Sequence, residues 1–364
     1  MRYVDDFRDK KLIKEVAARI KEIMPEHRIN IMEVCGTHTQ AFFRFGLDKI
    51  LPAGLRLISG PGCPVCVSSQ EYIDTAVDLA RHKEILILTF GDMLRVPGSS
   101  STLEKERARF GNVRVVYSAL DSLAVAKLNP DKKVVFLAVG FETTAPTIAL
   151  SILAAKKENL RNIFFLPSLK QIPPAMDYLL RDKRLDLDGF LCPGHVSAII
   201  GTRPYEFIAK RYRLGCCVAG FEPLDILEGI YFLIRQRLRD RPIVQNQYLR
   251  VVTKQGNPKA KKMVSRVFKI SDALWRGLGN IPRSGLKIKD EFSRFDAGRV
   301  FSLPAKRLLK GDKQKRCRCA EVLKGLISPL GCPLFSKVCY PDNPAGPCMV
   351  SSEGTCNAYY KYKR

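Results

Sequence analysis

Twelve cysteines occur in this 364-residue chain, and the earliest of them are spaced for chemistry. Cys63-Pro64-Val65-Cys66 is a Cys-x-x-Cys pair: two intervening residues bring the sulfurs close enough to close a disulfide or share a metal, and Pro64 stiffens the turn. Structural zinc needs a second Cys or His pair at similar spacing, which this region lacks, so the pattern favours redox or catalytic metal use. Cys35 completes a set of three soft thiolate donors suited to iron, although a lone buried cysteine is ordinarily inert packing. His38 follows three residues later, where the first turn of a helix brings both side chains toward one space. Its imidazole is then a proton carrier or a donor to a bound group, or else a helix-start histidine bonded to backbone. His195, after Pro193-Gly194, has the same two readings, whereas His27 and His82 lie in charged segments and belong on the surface.

Half of the cysteines fall between Cys317 and Cys356. Their spacing is too irregular for zinc fingers, but thiolates gathered from loops and short helices are the ligand set of a 4Fe-4S cluster, with structural zinc as the competing use. Cys317, Cys332, Cys339 and Cys356 form the preferred set; Cys319 competes for the first place, and Cys348 is left spare. Cys192, Cys216 and Cys217 lie in or beside apolar runs and read as core. Glu142-Thr143-Thr144 precedes Pro146 at a helix start, which either caps the helix or offers N–H groups to an anion; the absence of a Walker A sequence gives nucleotide binding little support. Asp92, Glu142 and Glu222 polarise a bound water or stand on exposed loops.

The elements that must hold these groups are short apolar runs alternating with helical patterns. INIMEV, LRLIS, EILILTF and VRVVYS come first, and KKVVFLAVGF, NIFFLP, LDGFLC and CCVAGF follow, with amphipathic stretches such as TIALSILAAKKENL between them. This alternation makes an α/β protein with parallel sheets, whose functional crevice lies beyond the carboxyl ends of the strands. The groups above occur at such ends. The expected organisation is an N-terminal helical segment (1–30), a first α/β unit (31–129), a second (130–239), and a basic, loop-rich, cysteine-bearing third unit (240–364).

Hydrophobic residues make up 46% and charged residues 27%, a globular balance with no apolar stretch long enough to span a bilayer. The first residues alternate charge with apolar side chains and lack a signal-peptide core, which places the chain in the cytoplasm. Lys and Arg outnumber Asp and Glu by 61 to 36, a net charge of +25 that raises the question of nucleic acid. The basic residues are scattered, with runs only at 254–262, 306–318 and the last four residues, and a solvated basic surface or an acidic protein partner accounts for them better. Two other functions fit the same residues: a basic nucleic-acid-binding iron-sulfur protein, and a stand-alone thiol oxidoreductase working through Cys63 and Cys66.

CGTHTQAF at 35–42, GPGCPVC at 60–66, GFETTAPT at 140–147, PGHVSAIIG at 193–201, GFEP at 220–223 and CMVSSEGTCNAYYKY at 348–362 together resemble the HypD family of hydrogenase maturation factors. The resemblance spans nearly the whole chain. It implies two α/β domains around a cleft and a third domain with a 4Fe-4S cluster. It further implies a redox-active scaffold that acts with a small HypC-like chaperone, on which iron becomes the Fe(CN)2CO group of nickel-iron hydrogenases, the cyanide arriving from a HypE-like protein. Carried over motif by motif, Cys35 becomes the leading iron ligand and His38 its functional neighbour. Cys63 and Cys66 become a redox pair, also able to contact the iron, fed with electrons from the distant cluster.

Overall fold

A computed structural model describes residues 5–303 and 317–363. Most of the basic run at 306–318 therefore lies outside the described residues. The strands are, in chain order, β1 Ile29–Glu33, β2 Leu55–Ser59, β3 Ile85–Thr89, β4 Val113–Val115, β5 Lys133–Gly140, β6 Ile163–Lys170, β7 Gly189–Pro193, β8 Gly215–Ala219, β9 Val244–Asn246, β10 Phe268–Trp275 and β11 Gly279–Ile288. The eight apolar runs of the sequence supply β1 to β8. β1, β3, β7 and β8 are buried at every residue, as expected of parallel strands covered by helices on both faces.

The strands form two sheets. One is wholly parallel with the order β2-β1-β7-β8-β9; the other runs β10-β11-β6-β5-β3-β4, parallel from β6 to β4 and antiparallel through β11 and β10. The pairing cuts across the expected division at 129/130. β1 and β2 start the first sheet, β3 to β6 build the second, and β7 to β9 return to the first. It also crosses the expected start of a third unit at 240, because β9 edges the first sheet and the β10–β11 hairpin extends the second through Gly285↔Lys170 and Leu286↔Leu169. Apolar runs show where strands lie, but each parallel crossover is long enough to reach either sheet, so run order does not fix neighbours.

Local signals set the helices. Asp9 caps the helix Lys10–Ile23 by accepting from the N–H groups of Lys11 and Leu12, and that helix buries Ala17 and Ile20 against the helix Pro223–Leu238. Ile20, Phe42, Phe43 and Leu227 cover one face of the first sheet, while Ile148, Ile152 and Phe292 cover the second sheet. A third apolar cluster joins the sheets through Met32, Ile87, Val135, Phe190 and Val218, and continues into Cys63, Cys66, Trp275, Cys319 and Cys348. The late cysteine segment is therefore packed on the same core as the early pair. Among the described residues no helix is long and apolar enough to cross a membrane.

Candidate functional site

The order of the first sheet determines which motifs meet. β2, β1, β7 and β8 are successive neighbours and parallel, so their carboxyl ends deliver Gly60–Cys66, Cys35–His38, Pro193–His195 and Gly220–Glu222 to one rim. Asp92 and Glu142 follow β3 and β5 and lie on the other sheet. Glu142 is buried; its Oε1 accepts from the N–H of Ile172 at 2.9 Å, its Oε2 has no partner, and burial pushes its pKa up to about 7. It thus caps the helix Ile172–Leu179 rather than the helix that follows it in sequence. Asp92 is exposed. Glu222 is ion-paired with Arg8 and shares a capping box with Asp225 at the helix Pro223–Leu238.

Cys35 lies two residues past the end of β1 and caps the start of the helix Gly36–Arg44. Its N–H donates to Glu33 Oε2 at 2.9 Å, and Thr39 Oγ1 donates to Glu33 Oε1. Burial pushes Glu33 up to about 8. The Cys35 thiol is pushed up to about 12, first by burial and then by the Glu353 carboxylate. Held protonated, it is no free nucleophile; a thiol in such a place is inert unless a cation draws off its proton.

His38 is fully buried, and its Nε2 lies 2.8 Å from the carbonyl oxygen of Gly220. A carbonyl only accepts, so Nε2 carries the proton and Nδ1 is left as a buried acceptor without a partner. Burial lowers its pKa to about 4, keeping the ring neutral. Phe221 lies between the two histidines, 4.7 Å from the His38 ring and stacked 4.0 Å from that of His195, whose other side faces solvent.

The loop Gly60-Pro61-Gly62 lays the cysteine pair against Cys35. Gly36 N–H donates to Gly62 O at 3.1 Å, and a Cβ on Gly62 would stand 2.2 Å from the Cys35 nitrogen. Gly62→Ala is accordingly expected to force the loop off Cys35 and to cost about 1–3 kcal/mol, the usual range for overpacking. Denaturant unfolding measures this, and an unchanged midpoint would show that the contact is dispensable. Cys63 and Cys66 are joined as a disulfide with Cα atoms 5.2 Å apart, both shut off from solvent. Cys66 Sγ lies 3.8 Å from the carbonyl oxygen of Pro347, the residue before Cys348.

Cys317, Cys319, Cys332, Cys339, Cys348 and Cys356 line one cavity, walled by Val322, Leu334, Phe335 and Met349. Cys348, left spare by spacing, is an integral part of it: its sulfur is 3.0 Å from that of Cys319. Cys319 is also hydrogen-bonded to Cys317, and Cys348 to Cys356, so four of the sulfurs form one connected row. Cys339 Sγ also accepts from the N–H of Ala345 at 3.3 Å. Among the described residues no three His, Cys, Asp or Glu side chains converge as for a single metal ion. A 4Fe-4S cluster makes a different demand, since each thiolate binds its own iron and the sulfurs stand around the group rather than meet at a point. Six cysteines lining one apolar-walled space suit that demand.

Three residues of the site were not singled out by spacing. Glu33 showed itself only as a charge inside an apolar strand. Glu353, within CMVSSEGTC, accepts from Thr37 Oγ1 at 2.7 Å and ties the late segment to the Cys35 helix. Arg276 lies on the tip of the β10–β11 hairpin and donates from Nε to Ser68 O at 2.9 Å, a contact no local pattern signals.

Parallel strand ends that gather a thiol, a buried neutral histidine and a disulfide, beside a cavity of further thiols, define an α/β thiol protein. More particularly, the chain belongs to the HypD family: residues 11–363 match the HypD family model, described as "Hydrogenase formation hypA family". It is 46% identical to "Hydrogenase expression/formation protein HupD" of Azotobacter chroococcum, over 372 residues that cover 100% of this chain and 97% of the relative. Identity is 43% to "Hydrogenase maturation factor HypD" of Escherichia coli, covering 100% of this chain and 99% of the relative. It is 40% to "Putative hydrogenase expression/formation protein MJ0993" of Methanocaldococcus jannaschii, covering 98% of each.

Proposed function

We propose that this chain is a cytoplasmic hydrogenase maturation factor that holds an iron cargo at Cys35 while the Fe(CN)2CO group is assembled, together with a HypC-like chaperone and a HypE-like cyanide donor. One observation carries this reading: the segments that bear the thiols pack one on the next. Cys35 is packed on Gly62, the Cys63–Cys66 disulfide touches Pro347, and Cys348 touches Cys319 inside the thiol-lined cavity.

In this reading Cys35 is the ligand of the cargo iron, losing its proton as the metal binds. His38 stays neutral and offers Nδ1 as an acceptor to whatever occupies the rim, while His195, at its solvent edge, faces incoming partners. Cys317, Cys332, Cys339 and Cys356 hold a 4Fe-4S cluster, which supplies electrons one at a time. Cys348 follows Pro347, whose carbonyl oxygen lies against Cys66, and in turn meets Cys319. Thiol–disulfide exchange with that pair balances if a late thiolate attacks the Cys63–Cys66 bond to give a mixed disulfide and its neighbour then displaces it: the Cys63–Cys66 bond is lost, a Cys319–Cys348 bond forms, and the two protons pass to the freed sulfurs.

Anaerobically purified protein is expected to carry about four iron and four sulfide per chain at the late cysteines. Copurified with its HypC-like chaperone, it should also show infrared bands of iron-bound cyanide and carbon monoxide. Stoichiometric zinc without sulfide would remove the cluster from this reading, and absent bands in a maturation-competent preparation would remove the cargo.

A further inference from the structure

The first sheet ends on an open strand. β9 pairs with β8 on one side, and among the described residues no strand stands on its other side. Cys216 N–H donates to Ile243 O, and Gln247 N–H donates to Val218 O. Parallel pairing uses the backbone groups of alternate residues, so Gln245 turns its N–H and C=O toward β8 while Val244 and Asn246 turn theirs outward. Unpaired groups along an edge are a template for another strand.

The charges around this edge select which strand it accepts. Val244 and Asn246 border a groove of about 820 Å³ whose lining includes Lys210, Arg213 and Lys254, with the exposed Leu249 beside them. Gln245, whose side chain points to the opposite face, borders a smaller hollow lined by Arg235, Arg239 and Arg241. Glu206 is the one carboxylate in the two linings, and Lys210 and Lys254 share it at 3.1 and 3.8 Å. An added strand sends its side chains alternately to the two faces, so both sets would meet positive charge. A second copy of this chain would bring its own cations to the edge, and like charges set opposite each other disfavour pairing. Carboxylates on both faces have the reverse effect. Asn246 holds a further unmet need: its Nδ2 donates to Val252 O at 2.7 Å, but its Oδ1 is buried without a partner.

We propose that the β9 edge is a docking site for an extended, acidic segment of a partner protein, which adds to the first sheet as a further strand. The docking requires neither iron nor thiol chemistry. It does lead to the rim: Gln247, the residue after β9, accepts from Gly220 N–H at 3.2 Å, and the Gly220 carbonyl in turn holds His38.

The test is binding of a fluorescein-labelled octapeptide, Glu-Val-Val-Glu-Glu-Val-Val-Glu, to the full chain, read by fluorescence anisotropy. As a strand this peptide carries glutamate on both faces. Saturable binding is expected below about 1 mM. The same peptide with lysine for glutamate should not bind. Methylating the backbone nitrogens of its two central residues blocks whichever edge faces β9, and should weaken binding about tenfold through the lost hydrogen bond. The double variant Lys210→Glu/Arg239→Glu reverses one exposed charge on each face and should also weaken binding about tenfold, with an unchanged unfolding midpoint. The peptide comparisons use the unaltered protein and decide alone should that variant fail to fold. No saturable binding of the acidic peptide overturns the inference. Equal binding of the methylated peptide overturns it too, since attraction by the field alone needs no strand pairing. An oligothymidine of the same length that binds where the acidic peptide does not assigns the basic edge to nucleic acid instead, and likewise overturns it.

Discussion

Replacing Cys35 with alanine is expected to abolish hydrogenase maturation while the protein folds and keeps the metal content of its late cysteines. Losing residues that merely orient metal ligands costs about 10–100-fold, so losing the ligand itself should exceed about 100-fold. Little else depends on this sulfur. The backbone N–H of Cys35 donates to Glu33 whatever the side chain, and its φ of −147° is extended backbone open to alanine. The late cavity is lined by other residues altogether. Removing one small buried group should lower stability by only about 1 kcal/mol. Complementation of a strain lacking its own family member reads the maturation, and denaturant unfolding with iron analysis reads the rest. Normal maturation by Cys35→Ala would sink the assignment of Cys35 as the cargo ligand; loss of maturation together with loss of the late iron would show that the variant is globally damaged.

The strands were legible in the sequence because a parallel strand buried on both faces leaves a continuous apolar run, as INIME and the core of KVVFLAVG do. Their partners were not, because nothing in such a run says which sheet a crossover returns to. A boundary drawn at 129/130 therefore separates strands that pair. β1 and β7 lie side by side although more than 150 residues separate them. The rule that crevices open at the carboxyl ends of strands set Cys35 and Cys63 at such ends in one unit and Glu142 and His195 in another, whereas the sheet order brings His195 to the rim of Cys35 and leaves Glu142 on the other sheet. Spacing likewise gathered the late cysteines without pairing Cys319 with Cys348, whose contact comes from two short helices, Cys319–Leu323 and Pro347–Val350. Arg276 and Glu353 were invisible for the same reason: each acts on residues about 200 or more positions away.

Removing one thiol of the late cavity is expected to slow reduction of the distant Cys63–Cys66 disulfide. Cys332→Ser changes a residue of the proposed cluster set and leaves the Cys319–Cys348 contact in place. With a low-potential one-electron donor, this variant should reduce Cys63–Cys66 at least tenfold more slowly than wild type. Two electrons must arrive to open that bond, and the disulfide itself is poorly exposed: Cys63 is 3% and Cys66 0% accessible. A bulky donor therefore has no direct route, whereas the late segment approaches from inside the protein, where Cys66 meets Pro347. A small dithiol reaches the pair only when the loop opens locally, and that opening is governed by contacts such as Gly62 against Cys35 and Arg276 against Ser68. Its rate should be the same in both proteins. The ratio of the two rates isolates the internal route from any general loosening, since loosening would speed the dithiol as well. Equal reduction by the one-electron donor with and without Cys332 would eliminate the relay and leave Cys63 and Cys66 as iron ligands or structural thiols. Slower reduction by the donor with an unchanged dithiol rate makes the late cavity the source of the electrons that reach the rim where Cys35 stands.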